Sequence, residues 1–110
     1  MAADYYQVGT TTGSQAEALA LASSVVEARL GACAQVSGPI TSVYRWAGEV
    51  STDEEWDLTV KTAADRLPAL IDHLKANHSY DLPQILTTEI AGGSPEYLAW
   101  ITEETRESAR

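Results

Sequence analysis

The order of hydrophobic and polar positions along the chain predicts an α+β domain. A strand is predicted over residues 4–11, because this segment is rich in β-forming residues and lacks a helix signal. Residues 32–46 are predicted to form a second strand, and the turn Ala47-Gly48 leads into a third. A fourth strand is predicted over residues 83–90. These four segments indicate a β-sheet that includes one long hairpin.

The two strands of the hairpin show different patterns. The segment Ser37-Gly38-Pro39 interrupts the second strand and predicts a bulge, a bend or an edge position there, because proline cannot donate to a ladder. In the third strand apolar and polar residues alternate with the period of a half-buried antiparallel strand. The expected core face carries Trp56, Leu58, Val60 and Thr62. The expected solvent face carries Glu55, Asp57, Thr59 and Lys61.

Three helices are predicted from capping signals and apolar stripes. Ser14 and Glu17 form a capping box. Gly31 is expected to end the first helix in the left-handed conformation. The stripe of that helix is Leu19, Ala22, Val26 and Leu30.

In the second helix, Asp65 is the predicted N-cap and Asn77 the left-handed C-cap. Its stripe is Leu67, Leu70, Ile71 and Leu74. Ser94 and Pro95 begin a third helix, and the polar tail after it is expected to fray. Its inward residues are expected to be Tyr97, Leu98, Trp100 and Ile101.

The resulting order, β-α-β-β-α-β plus a C-terminal helix, is that of the ferredoxin-like split βαβ fold. An antiparallel sheet with helices over one face is therefore expected. The 110 residues suit a single domain, 1–110. The aromatic residues Tyr44, Trp46 and Trp56 lie on the long hairpin, and we expect them to be buried against another subunit.

Composition excludes several classes of function. With 16 acidic and 7 basic residues the net charge is −9, which argues against nucleic acid as a partner. No apolar run approaches the ~20 residues that span a membrane, and no secretory signal is evident, so a cytoplasmic location is expected. Cys33 is the only cysteine, so no disulfide forms within the chain. Nucleotide-binding, zinc-protease and serine-hydrolase motifs are absent, and we do not expect an enzyme.

The two histidines raise the question of a metal site. His73 and His78 are five residues apart, which separates them by about 140° around a helix, so we do not expect a paired site within one chain. His73 is expected to point outward or to the flank of its helix. For His78, a structural role at the helix C-terminus is the alternative to metal binding. Three chains around an axis would bring three copies of His78 together.

Five motifs resemble the CutA divalent-cation tolerance family, in the family's order. They are the LGACA segment at 30–34, the YRWAG turn at 44–48, Glu55 with Lys61-Thr62, the HSYDLPQI segment at 78–85 and YLAWI at 97–101. The resemblance implies a ferredoxin-like subunit in a homotrimer with an architecture like that of the PII signalling proteins. It also implies a non-enzymatic role in tolerance of copper and other divalent cations, with His78 as a metal ligand.

Some members of that family bind copper through a cysteine in the first strand and a pair of histidines. Here Gly9 and Asn77 stand at the positions of that cysteine and of the first histidine, so only His78 carries over. The alternative is a PII-like signalling module with a small effector in the clefts between subunits, contacted by Glu55, Lys61 and Tyr80. The same residues with His78 could also supply acid–base groups to an enzyme assembled from several chains.

Overall fold

The structure, a computed structural model, describes residues 3–107 and has the predicted order of elements within them. The fourth strand is shorter than predicted, because only its last part pairs with the first strand. The elements are β1 (Tyr5–Thr12), α1 (Gln15–Glu27), β2 (Cys33–Trp46), β3 (Glu49–Ala63), a 3₁₀ turn (Ala64–Arg66), α2 (Leu67–Asn77), β4 (Leu86–Glu89) and α3 (Pro95–Glu104).

The four strands form one antiparallel sheet in the order β2-β3-β1-β4. This confirms the ferredoxin-like split βαβ prediction. Helices α1 and α2 cover one face of the sheet, where Val8, Leu58 and Val60 are fully buried under them. No helix within residues 3–107 has the length and apolar character needed to cross a membrane.

The β2-β3 hairpin is the longest feature of the fold and follows the sequence prediction closely. Its register shifts between Ser37 and Ile40, at a cis Gly38–Pro39 bond, so the predicted break in the second strand is confirmed. Ala47 and Gly48 both have positive φ, 53° and 83°, which defines a type I′ hairpin turn. Beyond the bulge many apolar side chains of the hairpin are exposed.

The predicted apolar stripe of α1 is wrong at two positions. Leu19 is 52% exposed and Val26 is 41% exposed, while Ala18, Leu21 and Val25 are buried. The inward face is therefore rotated by about one residue, or roughly 100°. The alanine-rich helix has apolar residues on several sides, so its sequence does not select one face, and contact with the sheet does.

The predicted ends of α1 and α2 also need correction. Arg29, not Gly31, takes the left-handed conformation after α1, with a φ of 59°. The amides of Arg29 and Leu30 donate to the carbonyls of Val26 and Val25 at 3.0 Å each, which is a Schellman motif. Asp65 does not cap α2, which has no side-chain N-cap bond. α2 ends at Asn77 as predicted, but the left-handed region is not used there.

Helix α3 contacts the sheet face opposite α1 and α2. The Tyr5 hydroxyl, on that face of β1, lies 2.5 Å from the Thr102 hydroxyl. Ile101 is buried as predicted, but Tyr97 and Trp100 are 43% and 38% exposed, so their predicted inward position is wrong in the single chain.

The segment after α3 is held in place rather than frayed. Thr105 is fully buried, and its hydroxyl donates to the Ile101 carbonyl at 2.7 Å. The Arg106 guanidinium donates to both oxygens of Asp65, at 2.5 and 2.6 Å. Asp65 therefore anchors the C-terminal segment instead of capping α2.

Candidate functional site

A cleft of about 740 Å³ lies between the β2-β3 hairpin and the loop that follows α2. We call it the hairpin cleft, and residues 78–85 the α2-β4 loop. Its volume is in the range of small-ligand sites, about 300–1,000 Å³. The hairpin supplies one wall, the α2-β4 loop supplies the other, and the β1-α1 connection closes one end.

The polar lining of the hairpin cleft is acidic. Four of its lining residues are acidic, Asp53, Glu54, Glu55 and Asp81, and of the three on β3 Asp53 and Glu55 share the strand face that carries Tyr44. Among the described residues that line it, none is lysine, arginine or histidine. A cleft lined by one sign of charge concentrates ions of the opposite sign. This site therefore favours a cation over a phosphate or carboxylate ligand.

Glu55 and Tyr80, both predicted as site residues, meet in this cleft. The Tyr80 hydroxyl donates to Glu55 Oε2 at 2.9 Å, although the two residues are 25 positions apart in sequence. Glu55 is only 8% exposed, so its assignment to a solvent face was wrong. Burial of Tyr80 and its bond to the Glu55 carboxylate raise the pKa of the phenol to about 12.

The hairpin adds a second tyrosine–carboxylate pair. Ser42 is the register partner of Asp53, so Tyr44 lies diagonally across from Asp53 on the same face, and its hydroxyl donates to Asp53 Oδ2. This bond to a carboxylate is the main cause that raises the pKa of Tyr44. Trp46 lines the same cleft and is 54% exposed.

His78 lies behind Tyr80, next to the cleft. Its side chain is fully buried, and Nε2 lies 2.8 Å from the Thr11 carbonyl oxygen. The Tyr80 amide donates to His78 Nδ1 at 3.1 Å. Both ring nitrogens are therefore used within the chain. His73, by contrast, is half-buried at the α1-α2 contact, with Nε2 at 2.9 Å from the Ser24 hydroxyl.

Glu17 ties the α2-β4 loop to the start of α1. Only half of the predicted capping box forms, with the Glu17 amide donating to the Ser14 hydroxyl at 3.1 Å. The Glu17 carboxylate instead accepts from the Ser79 amide at 3.0 Å and from the Ser79 hydroxyl at 2.9 Å. The same carboxylate lies 3.8 Å from His78 Nδ1.

The structure does not bring Lys61 to the hairpin cleft. Lys61 lies six residues beyond Glu55 in β3, roughly 20 Å along a strand at about 3.3 Å per residue. Its ammonium group donates to Gln35 Oε1 at 2.5 Å. Trp56 does not line the cleft either, and its half-buried ring packs at Gly38.

Sequence reasoning missed several contributors to the site. Asp53 carries a usable signal, because it is two residues from Glu55 and therefore on the same strand face. Thr11 and Glu17 carry none, because they reach the α2-β4 loop only through contacts 67 and 62 residues apart in sequence.

The residues of one chain do not form a complete metal site. Within residues 3–107, no group of three or more histidine, cysteine, aspartate or glutamate side chains is placed to hold a metal ion. His78 does not fit the role of a ligand, because coordination would cost it one of its two bonds. The carboxylates of the cleft fit better, since oxygen ligands suit hard divalent cations, but they do not converge in the single chain.

The fold and the site define a class of protein: a ferredoxin-like α+β protein with an acidic cleft beside a long hairpin. Residues 6–104 match the CutA1 divalent ion tolerance protein family, and the chain belongs to that family. The predicted resemblance is thereby confirmed.

Individual relatives support this assignment. The chloroplastic protein CutA 1 of Oryza sativa is 46% identical over 88 residues, which are 80% of this chain and 50% of that protein. The divalent-cation tolerance protein CutA of Thermus thermophilus is 43% identical over 95 residues, 86% of this chain and 92% of that protein. The crystal structure of CutA1 from Oryza sativa superposes with a TM-score of 0.91 at 39% identity, covering 97% of this chain and 98% of that one. This chain spans about half the length of its plant relatives.

Proposed function

We propose that this protein contributes to divalent-cation tolerance as a cytoplasmic homotrimer that binds a cation weakly at the hairpin cleft. The observation that carries the proposal is the acidic lining of the cleft, which includes four acidic residues and, among the described lining residues, no basic one. The family to which the chain belongs is named for divalent ion tolerance. The proposed role is binding and not catalysis.

The trimer is proposed because the hairpin exposes apolar surface that a neighbouring copy would cover. Val43, Trp46 and Val50 are 67%, 54% and 63% exposed, and Tyr44 is 41% exposed. Tyr44 and Trp46 lie on one face of the hairpin and Val43 and Val50 on the other, so both faces expose apolar side chains, and exposed apolar surface marks an interaction site. A neighbouring subunit would also complete the cation's ligand set, so we place the site between subunits. Light scattering should give about three times the 11.8 kDa chain mass, and a stable monomer would contradict the trimer.

Copper is the first cation to test, and the donors present favour one of its oxidation states. Carboxylate and phenol oxygens suit Cu(II), whereas Cu(I) prefers sulfur ligands. Calorimetric titration with Cu²⁺ and Zn²⁺ should show weak binding that decreases in Asp53→Asn and Glu55→Gln. Asp72→Asn, an exposed position on α2 outside the cleft, is the charge-matched control. Equal affinity in all four proteins would exclude the cleft.

A signalling module with a small effector is the second proposal, and the aromatic lining favours it. Tyr44, Trp46 and Tyr80 line the cleft beside the carboxylates, a combination that attracts organic cations through ring faces and charge. A thermal-shift panel of organic amines, nucleotides and metal ions discriminates the two proposals. Stabilisation by an amine, with none by metals, would support the effector; a shift with nucleotides alone would contradict the acidic cleft as the site.

A further inference from the structure

The hydrogen bonds of His78 determine the state of its ring. A backbone amide can only donate, so His78 Nδ1, which receives the Tyr80 amide at 3.1 Å, carries no proton. A carbonyl oxygen can only accept, so Nε2, at 2.8 Å from the Thr11 oxygen, carries the proton and donates it. The ring is a neutral imidazole with both nitrogens satisfied and no exposed surface.

This arrangement leaves no free electron pair for a metal ion. The unprotonated nitrogen of the neutral ring is the one that holds the Tyr80 amide. Coordination through Nδ1 would remove that bond. Coordination through Nε2 would require loss of the proton from that nitrogen and of the bond to β1.

The same bonds link β1 to the hairpin cleft. His78 Nδ1 accepts from the amide two residues further along the chain. Aspartate and asparagine side chains accept in the same way in an Asx turn. The rings of His78 and Tyr80 are also in contact, with centroids 4.9 Å apart. At the far end, the Tyr80 hydroxyl reaches Glu55 and passes close to Gly13, where a Cβ would lie 3.2 Å from the hydroxyl oxygen.

We propose that His78 is a positioning residue that anchors the α2-β4 loop to β1 and places Tyr80 against Glu55 in the hairpin cleft, and that it is not a metal ligand. The effect of His78 on cation binding in the hairpin cleft rests on the proposed cation-binding function. The hydrogen bonds and protonation state of the His78 ring do not depend on it.

Two variants separate the two bonds of the ring. His78→Asn keeps an acceptor for the Tyr80 amide but is too short to reach Thr11, whereas His78→Gln can donate toward Thr11 but loses the short-range turn. In amide hydrogen exchange we expect Tyr80 to exchange about tenfold faster in His78→Gln, the factor that corresponds to loss of one hydrogen bond, and to stay protected in His78→Asn. His73→Asn is the control for loss of a histidine, and thermal melts confirm that each variant is folded.

Nitrogen NMR of the wild-type histidine rings supplies the readout on metal. We expect His78 to show a protonated Nε2 and an unprotonated, hydrogen-bonded Nδ1, unchanged by Zn²⁺ at concentrations that saturate calorimetric binding. A Zn²⁺-induced change at either nitrogen, or equal Tyr80 protection in His78→Gln and wild type, would overturn the proposal. If no cation binds at all, the proposed function fails, while the exchange and tautomer measurements still decide the role of His78.

Discussion

Replacing Gly31 with alanine should destabilise the protein through a steric clash. A Cβ at this position would lie 2.3 Å from Val60 Cγ1 and 2.9 Å from Val25 Cγ1, and both valines are fully buried. Real Cβ atoms essentially never approach other heavy atoms within 3.0 Å, so the core must shift. The sequence suggested a different reason for this glycine, a left-handed helix end, which the structure assigns to Arg29.

The expected loss follows from overpacking of a well-packed core, which costs about 1–3 kcal/mol. In a domain of this size each kcal/mol lowers the melting temperature by about 4–8 °C. Thermal unfolding followed by circular dichroism measures the change, at one protein concentration because assembly makes stability concentration-dependent.

The control and the decisive comparison use positions in the same chain. Gly92→Ala adds a methyl group where nothing lies within 4 Å and should have little effect. In a Val60→Ala background the clash with Cγ1 is removed, so Gly31→Ala should cost less there than in the wild type. The steric reasoning is refuted if its cost is the same in both backgrounds, because a purely conformational requirement for glycine would not depend on Val60.

Three further predictions concern single polar groups. The Arg106 guanidinium lowers the pKa of Asp65 in the folded protein. The stabilisation of the fold by this pair is therefore complete above pH 3.8, the ordinary carboxyl pKa, and is lost as the pH falls through the lower pKa of the folded state. Asp65→Asn should remove that acid-side dependence from pH-dependent melts, at a cost below about 1 kcal/mol because the pair is exposed. The pKa of Tyr80 is raised to about 12, so the stabilisation that it provides is complete below pH 10 and is lost as the pH rises toward 12. In ¹³C-tyrosine NMR titrations, Glu55→Gln should lower the pKa of Tyr80, and an unchanged pKa would contradict the hydrogen bond between the two side chains. The Thr10 hydroxyl is buried with no hydrogen-bond partner among residues 3–107. Thr10→Val removes this hydroxyl and should raise the free energy of unfolding, measured by urea titration, by about 1 kcal/mol. A loss of stability in this variant would contradict the account.

Much of the fold was predictable because its signals are local. The type I′ turn at Ala47-Gly48, the break at Pro39 and the Ser14 cap each depend on the conformations of a few neighbouring residues. Strand alternation predicted the buried face of β3 for Leu58 and Val60, because side chains in a strand point to opposite faces in turn. The family motifs then pointed to Tyr80 and His78, which spacing alone would not have selected.

The hairpin cleft was much less predictable, because its contacts join distant segments. Tyr80 reaches Glu55 across 25 positions, and His78 reaches Thr11 across 67. The spacing of Lys61 and Glu55 already separates them within one chain, because six residues of a strand span roughly 20 Å. They were grouped as cleft residues because clefts between subunits were expected, and the sheet places Lys61 beside Gln35.

The sequence by itself determined the order of elements, the hairpin turn and the acidic character of this protein, because these depend on composition and on interactions within a few residues. Only the tertiary structure decided which face of α1 is buried, which residue ends that helix, and what the His78 ring does. An alanine-rich helix has no unique apolar face until a sheet packs against it. A histidine ring has no fixed role until its two nitrogens meet their partners, here Thr11 and Tyr80.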